Sequence, residues 1–456
     1  MEPDTSALAD LADEAVALID RQGDTRHREG TVEANVRVTR TRHGLTRFAN
    51  AAIHQHVAED TTTVSCTIAL DGQTATGSTT RCDPAGLRAT VDAVLAAAAQ
   101  QPADPAWPGA TPPTPVTPRG AFDPPTAQGD PTVRAEGVAR FVDAGAGLSA
   151  AGYLDTHATW AACASSAGHR AADAATRATI DGIHQTPTSA GSGHATALRV
   201  ADLDPAAVGT RAADLARRSA SFVELAPARF EVVLAPEAVA TLLTFLAVYG
   251  FNAKAVLDGA SFAEPGTMQF DPAITLLDDP ADPEAIGVGF DAEGSPRQRT
   301  TLVTDGVTTS LVHDRRTALR AGAHTTGGAI PGGERVGAVP HNLRMPAGTT
   351  TPDDLIAGVE RGLLITTFNY VRVLEPKRQQ VTGLTRNGTF LIEDGTISGA
   401  VGNLRFTDSF LDALAPGRVL GVGNDARLAD AEFGPGMVTC PSLRLADFAF
   451  TGGAAG

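Results

Sequence analysis

Eleven histidines and four cysteines are the side chains of this chain best suited to metal or nucleophilic chemistry, and their spacing decides what each can do. His54 and His56 stand two apart on strand-like sequence, so both point to one face and offer two metal ligands. No third ligand is evident nearby, and a pair of edge-strand histidines is the plainer reading. His43, His157, His169, His184, His194, His313, His324 and His341 are scattered through turn-like or strand-end sequence, with no HExxH, HxxE or Cys-His cluster. Gly191-Ser192-Gly193-His194 sets a serine beside a histidine. Adjacent side chains on a loop rarely pair as nucleophile and base, and G-x-S-x-G is absent, so a turn is expected. Gly421-Val422-Gly423-Asn424-Asp425 lacks the spacing of a phosphate loop and also reads as a turn.

Two groups suit recognition better than catalysis. Gly327-Gly328 and Gly332-Gly333 lead to His341, Asn342 and Arg344. Such a loop lets backbone approach a ligand closely, and its polar end offers hydrogen bonds. A wide connection between strands accounts for it equally well. Asn369, Arg372, Lys377 and Arg378 form a local basic cluster in an acidic protein, which suits a carboxylate such as a peptide C-terminus. The alternative is a solvated loop tip.

The elements that must position these residues fall into two halves. Leu8, Leu11, Ala15, Leu18 and Ile19 have helical spacing within 6–20, and from Val32 the period changes to two. Strands are predicted over 32–38, Arg47–His56, Thr63–Leu70 and, after the Asp71-Gly72 turn, Gln73–Thr79. Asp83-Pro84 starts a helix. Ten of the 29 prolines fall in 101–131, which excludes regular helix or central strand and suggests a surface excursion within one domain. A helix (133–144), two strands (153–165 and 169–183) and a second Asp-Pro-Ala helix start at Asp204 follow. This echo of the first hundred residues suggests two halves sharing one sheet. After a boundary near 221–228 come a strand (230–234) and an evenly apolar helix (237–249), which predicts burial on all sides. Asp305-Gly306, Asn387-Gly388 and Asp394-Gly395 read as hairpin turns, and Thr351 caps a helix to about Arg361. The expected fold is α+β: an N-terminal domain (1–222) with an antiparallel sheet and flanking helices, then a C-terminal domain (223–456) of mainly antiparallel, twisted sheet with a few helices.

The composition narrows the function classes. The chain has 456 residues and a formal net charge of −16, which argues against general nucleic-acid binding or a polybasic membrane patch. Cys66, Cys82, Cys163 and Cys440 form no CxxC and are too few for a disulfide framework. No secretory signal or membrane span is visible, so a cytoplasmic protein is expected.

Several stretches, in order, resemble the TldD/PmbA (TldD/TldE) family of metallopeptidase subunits. They are Phe230–Pro236 before a helix, Gly289-Phe290-Asp291-Ala292-Glu293-Gly294, Gln298-Arg299-Thr300, Asp305-Gly306, Asp314–Ala318, His341–Arg344, Leu391–Gly395 and Gly421–Asp425. The early hairpin 44–50 and the turn at Asp71 fit as well. In the catalytic TldD-type subunit the helix after the Val-Val-Leu strand carries HExxxH, two imidazoles and a base for zinc chemistry. Laid without gaps from Val232, that motif falls here on Thr244, Phe245 and Tyr249. Cys440 lies in the region of the family's late cysteine but several residues off. The resemblance therefore implies a zinc-free PmbA/TldE-type subunit with no catalytic or metal-ligating residue of its own. It would pair with a TldD-type zinc peptidase subunit around an enclosed cavity that admits short or unfolded peptides. His341, Asn342 and Arg344 would bond the peptide backbone, with Asn369, Arg372 and Arg378 beside them and the arginines pairing a carboxylate. The rivals are a stand-alone homodimer with metal-independent chemistry, for which His341 with Asp314 is a conceivable pair, and a pure peptide-binding protein.

Overall fold

The computed structural model describes residues 4–26, 30–431 and 438–453. Its first sheet has six strands: β1 (Val32–Ala49), β2 (Ala52–Leu70), β3 (Gln73–Thr79), β4 (Ser149–Ser165), β5 (Arg170–Gln185) and β6 (Ala190–Ala197). Their spatial order is β3-β2-β1-β4-β5-β6, and every pairing is antiparallel. Two three-stranded meanders thus meet along β1 and β4, so the two echoing halves do share one sheet. Each half ends in an Asp-Pro helix. Asp83 accepts the amides of Ala85 and Gly86 to cap Pro84–Ala98, and Asp204 accepts Ala207 to cap Pro205–Arg218.

The long helices of the N-terminal half pack on one face of this sheet. Leu8, Ala12, Ala15, Val16 and Ile19 of helix Ser6–Arg26 meet Val36 and Val38 of β1 and Leu87, Val91 and Val94 of the first Asp-Pro helix. Phe141 of helix Pro131–Ala144 and Val208 of Pro205–Arg218 pack on Phe48, Leu154 and Ile180. The other face presents the alternate residues, including Arg37, His43, Asp155, His157, Arg177 and Asp181. Part of it is covered by the proline-rich run. Trp107 Nε1 donates to Glu33 (2.8 Å), and the amide of Thr111 donates to Asn35 (2.8 Å).

Two further sheets follow. One has six short strands, from Leu276–Asp278, Thr300–Thr304 and Leu343–Arg344 to the edge strand Arg427–Ala429. The other has eight, including Ala228–Leu234, Arg361–Glu375, Gln380–Glu393 and Leu443–Gly453. Antiparallel pairs dominate, with parallel pairs at Leu343–Arg344 with Val438–Cys440, Ala228–Leu234 with Arg361–Glu375 and Phe222–Val223 with Thr396–Val401. Helix Pro236–Tyr249 touches strands of both sheets. Water reaches little of its circumference, which is why its apolar residues show no stripe.

Four local expectations are corrected. The stretch Arg47–His56 is not one strand: the chain reverses at Asn50 and Ala51, whose φ values are 51° and 59°. Gly191–His194 is strand, not turn. Gly191 and Gly193 face helix Pro205–Arg218, where a Cβ would stand 2.2 Å from the Ala212 carbonyl oxygen and 2.5 Å from that of Val208. Glycine there serves close approach, and the alternation turns Ser192 and His194 to the other face. Asn387-Gly388 lies inside strand Gln380–Glu393, at a register irregularity against Arg361–Glu375. The helix capped by Thr351 ends at Ala357, because Arg361 already begins a strand paired with Glu393.

Candidate functional site

The Gly289–Gly294 loop is where the C-terminal sheets meet the uncovered face of the first sheet. Asp291 is nearly fully buried and accepts three amides: those of Glu293 (2.9 Å) and Ser295 (2.9 Å) on Oδ1, and that of Ala329 (3.0 Å) on Oδ2. Its carbonyl oxygen takes a bond from Arg37 of β1 at 2.5 Å. Asp173 of β5 accepts the Gly289 amide at 2.8 Å, and His169 Nε2 meets the Gly294 carbonyl at 2.9 Å. Glu293 accepts the Arg315 amide at 2.9 Å. The Arg315 guanidinium in turn donates to the carbonyls of Pro108, Gly109 and Ala110. Burial, then the Asp291 charge, push the Glu293 carboxyl above its ordinary range.

Two cavities flank this joint. One of about 970 Å³ lies between β1–β3 and the glycine-rich 329–335 loop, with Arg37, Glu293, Asp314 and Arg316 in its wall. The other, of about 630 Å³, is lined by Arg119, Arg297, Arg299 and Asp282. Both have the size of small-ligand or peptide sites.

Sequence reading missed the polar row that continues along the same face. His43 Nε2 stands 3.1 Å from Asp155, Arg177 pairs with Asp155 at 3.4 Å, and the rings of His43 and His157 are 5.8 Å apart. The signal was the period-two alternation of polar residues in β4 and β5, which local spacing does not connect. Burial, helped by the charges of Arg177 and His43, lowers His157 from 6.5 to about 4. The unfolded chain therefore binds the extra proton between those values. The neutral ring's contribution is complete above pH 6.5 and is lost as pH falls to 4, a change of about 2–3 kcal/mol. Urea unfolding across pH 4–7 should show this slope, and His157→Gln should flatten it.

The six residues expected to bind substrate lie in two places. Asp278 accepts the amides of His341 (3.2 Å) and Asn342 (2.8 Å), and Asn342 Nδ2 donates to Ile286. The His341 ring is buried beside Arg297, which with burial holds it well below its ordinary pKa. Arg344 is ion-paired with Asp282. This trio braces the 278–286 segment, with Arg344 still 39% exposed. Asp314 is engaged elsewhere: it caps helix Arg315–Ala321 through Thr317. Asn369, Arg372 and Arg378 instead occupy the hairpin between Arg361–Glu375 and Gln380–Glu393. Asn369 accepts from Arg386 (3.2 Å), Arg372 lies 4.8 Å from the Tyr370 ring centroid, and Arg378 is 79% exposed.

The residues standing at the HExxxH positions do not fit zinc. The Thr244 hydroxyl donates to the Ala240 carbonyl (2.8 Å), and Phe245 is 2% exposed. Its ring centroid is 6.0 Å from those of both Tyr249 and Phe410. Cys440 Sγ is fully buried against the Pro236 carbonyl (3.3 Å), and burial keeps it a thiol. His54 and His56 are exposed on β2, with His56 Nδ1 on the Thr46 hydroxyl (2.9 Å). No helix among the described residues is long and apolar enough to cross a membrane.

Comparison with known proteins places the fold. Residues 227–452 match the model of the PmbA/TldA metallopeptidase C-terminal domain. A metalloprotease of Methanothermobacter thermautotrophicus is 28% identical over 203 residues, 44% of each chain. An uncharacterised protein of Methanocaldococcus jannaschii is 33% identical over 125 residues, 27% of this chain and 30% of its own length. The chain thus spans less than half the length of these relatives. Among solved structures, TldE from Thermococcus kodakarensis superposes with a TM-score of 0.85 at 16% identity, covering 96% of this chain and 100% of that one. A Thermotoga maritima protein described as a modulator of a DNA gyrase gives 0.81 at 18% identity, covering 97% and 99%. With its C-terminal half matched by the family's own model and its fold shared with TldE, this chain belongs to the PmbA/TldD family of metallopeptidase-like proteins.

Proposed function

We propose that this chain is the TldE-type, non-catalytic subunit of a cytoplasmic heterodimeric peptidase, with zinc held by a TldD-type partner. The observation that carries this reading is helix Pro236–Tyr249. Where the zinc motif would lie, the helix spends its side chains on packing between two sheets, and Phe245 sits where a base would have to act. The chain's share is then to wall the substrate chamber and grip a short or unfolded peptide. We take residues 1–222 and 223–456 as its two domains.

Mass in solution tests the pairing. Co-expression with a TldD-type chain should give a one-to-one complex, and separate elution of the two chains would refute it. For the grip, Arg372 and Arg378 on the exposed hairpin suit a carboxylate, with Asn369 beside them. Arg372→Ala with Arg378→Ala in the assembled complex should raise KM for peptides with a free C-terminus about tenfold and leave kcat nearly unchanged. An unchanged KM would remove this assignment. His341, Asn342 and Arg344 are then the support of the neighbouring loop, with the exposed part of Arg344 open to the peptide.

A further inference from the structure

We propose that Asp181, His194 and Asp430 form a divalent-cation site, suited to Zn²⁺, that ties the edge of the first sheet to the edge of the six-stranded sheet that follows it. Asp181 and His194 are direct cross-strand partners on β5 and β6, and β6 is an edge strand. Asp430 immediately follows Arg427–Ala429, the edge strand of the next sheet, which lies against β6. Among the described residues, this is the group of three ligand-bearing side chains whose donor atoms all lie within 4.8 Å of one another.

The orientation of the imidazole supports a ligand role. His194 is 5% exposed, and its Nε2 is 3.0 Å from the Thr196 hydroxyl, which is itself 3.1 Å from that of Thr179. A ring nitrogen that donates its proton to such a chain leaves Nδ1 as the free lone pair, the arrangement found behind metal-bound histidines. That Nδ1 faces Asp181 at 3.2 Å and Asp430 at 4.0 Å. A cation, or a proton kept on the ring, must therefore lie between Nδ1 and the two carboxylates. No arginine or lysine among the described residues pairs with either carboxylate; nearby Arg427 is committed to Glu237 (2.8 Å) and Asp425 (3.8 Å). Both carboxylates keep about a third of their side-chain surface in water, so a cation has a way in.

The donor set selects the ion. Imidazole disfavours Mg²⁺ and Ca²⁺, and two carboxylates neutralise a dication. Ligands on a tetrahedral Zn²⁺ stand about 3.3 Å apart, so rotation of the two aspartates by about an ångström closes the site and leaves a fourth position for water. This site is separate from the one the family's zinc helix would supply, and it departs from the expectation that the chain holds no metal.

The test is Zn²⁺ titration of the full chain, stripped with EDTA, by calorimetry and thermal melting. One equivalent should bind and raise Tm. Asp430→Asn and, as a second variant, His194→Gln should each weaken binding by about 30-fold or more. His54→Ala with His56→Ala should bind as the parent does. Circular dichroism checks that each variant is folded. No binding by the parent chain would overturn the site and leave an Asp-His-Asp group bridged by a proton. Unchanged binding by Asp430→Asn, or loss with the His54 and His56 variant, would overturn it too.

Discussion

Phe245→Glu, which places a carboxylate where a zinc peptidase carries its base, is expected to abolish folding rather than confer activity. Phe245 is 2% exposed and packs among Tyr249 and Phe410 on a helix held between two sheets. Losing the ring alone costs about 3–5 kcal/mol. Burying an unpaired carboxylate adds several more, so the total reaches the whole stability of a typical domain, about 5–15 kcal/mol. The variant should be insoluble or lack a cooperative melt. Thr244→His makes the contrast: Thr244 is half-buried and its hydroxyl bonds to the Ala240 carbonyl of its own helix, so this variant should fold. A soluble Phe245→Glu protein with the parent's Tm would show that the helix is not the packing element described above.

Asp291→Ala is the second large effect. Its carboxylate satisfies three amides, two of them within its own loop and one from Ala329. Without it, three donors in a water-poor joint lose their partner, at about 1–3 kcal/mol each. The same loop carries the contacts from Arg37, Asp173 and His169 that fasten the first sheet to the C-terminal half. The expected loss is about 4–6 kcal/mol by urea unfolding, with protease cleavage appearing first around 289–297. Asp291→Asn keeps one acceptor oxygen and should lose roughly half as much. Equal stability of Asp291→Ala and the parent would mean that the loop is not a fastening.

What sequence could and could not reveal follows from the range of the interactions. Asp83-Pro84 and Asp204-Pro205 act within one helical turn, so both caps were legible. The even apolarity of 237–249 pointed to complete burial because each residue reports its own surroundings. Asp71-Gly72 and Asp305-Gly306 were read as turns for the same reason, and all four residues have positive φ. Asn387-Gly388 carries the same dipeptide signature but is absorbed into a long strand, because pairing with Arg361–Glu375 outweighs local preference. The polar face was illegible in a different way. Asp181 and His194 are 13 residues apart, and Asp430 is in the other half of the chain. Only strand register brings them together, and Gly191 and Gly193, which seat a helix, read locally as a loop. The six proposed substrate residues share a composition but not a location, because three brace an internal segment and three ride an exposed hairpin.

The most direct test of the subunit assignment is peptidase activity measured on three samples: this chain alone, a TldD-type chain alone, and the two co-expressed. A short, unfolded peptide serves as substrate. The predicted result is cleavage by the co-expressed pair, none by this chain alone, and loss of cleavage when the partner's HExxxH glutamate is replaced by glutamine. Cleavage by this chain alone, surviving Asp430→Asn and needing no partner, would contradict the assignment and mark the chain as an enzyme in its own right.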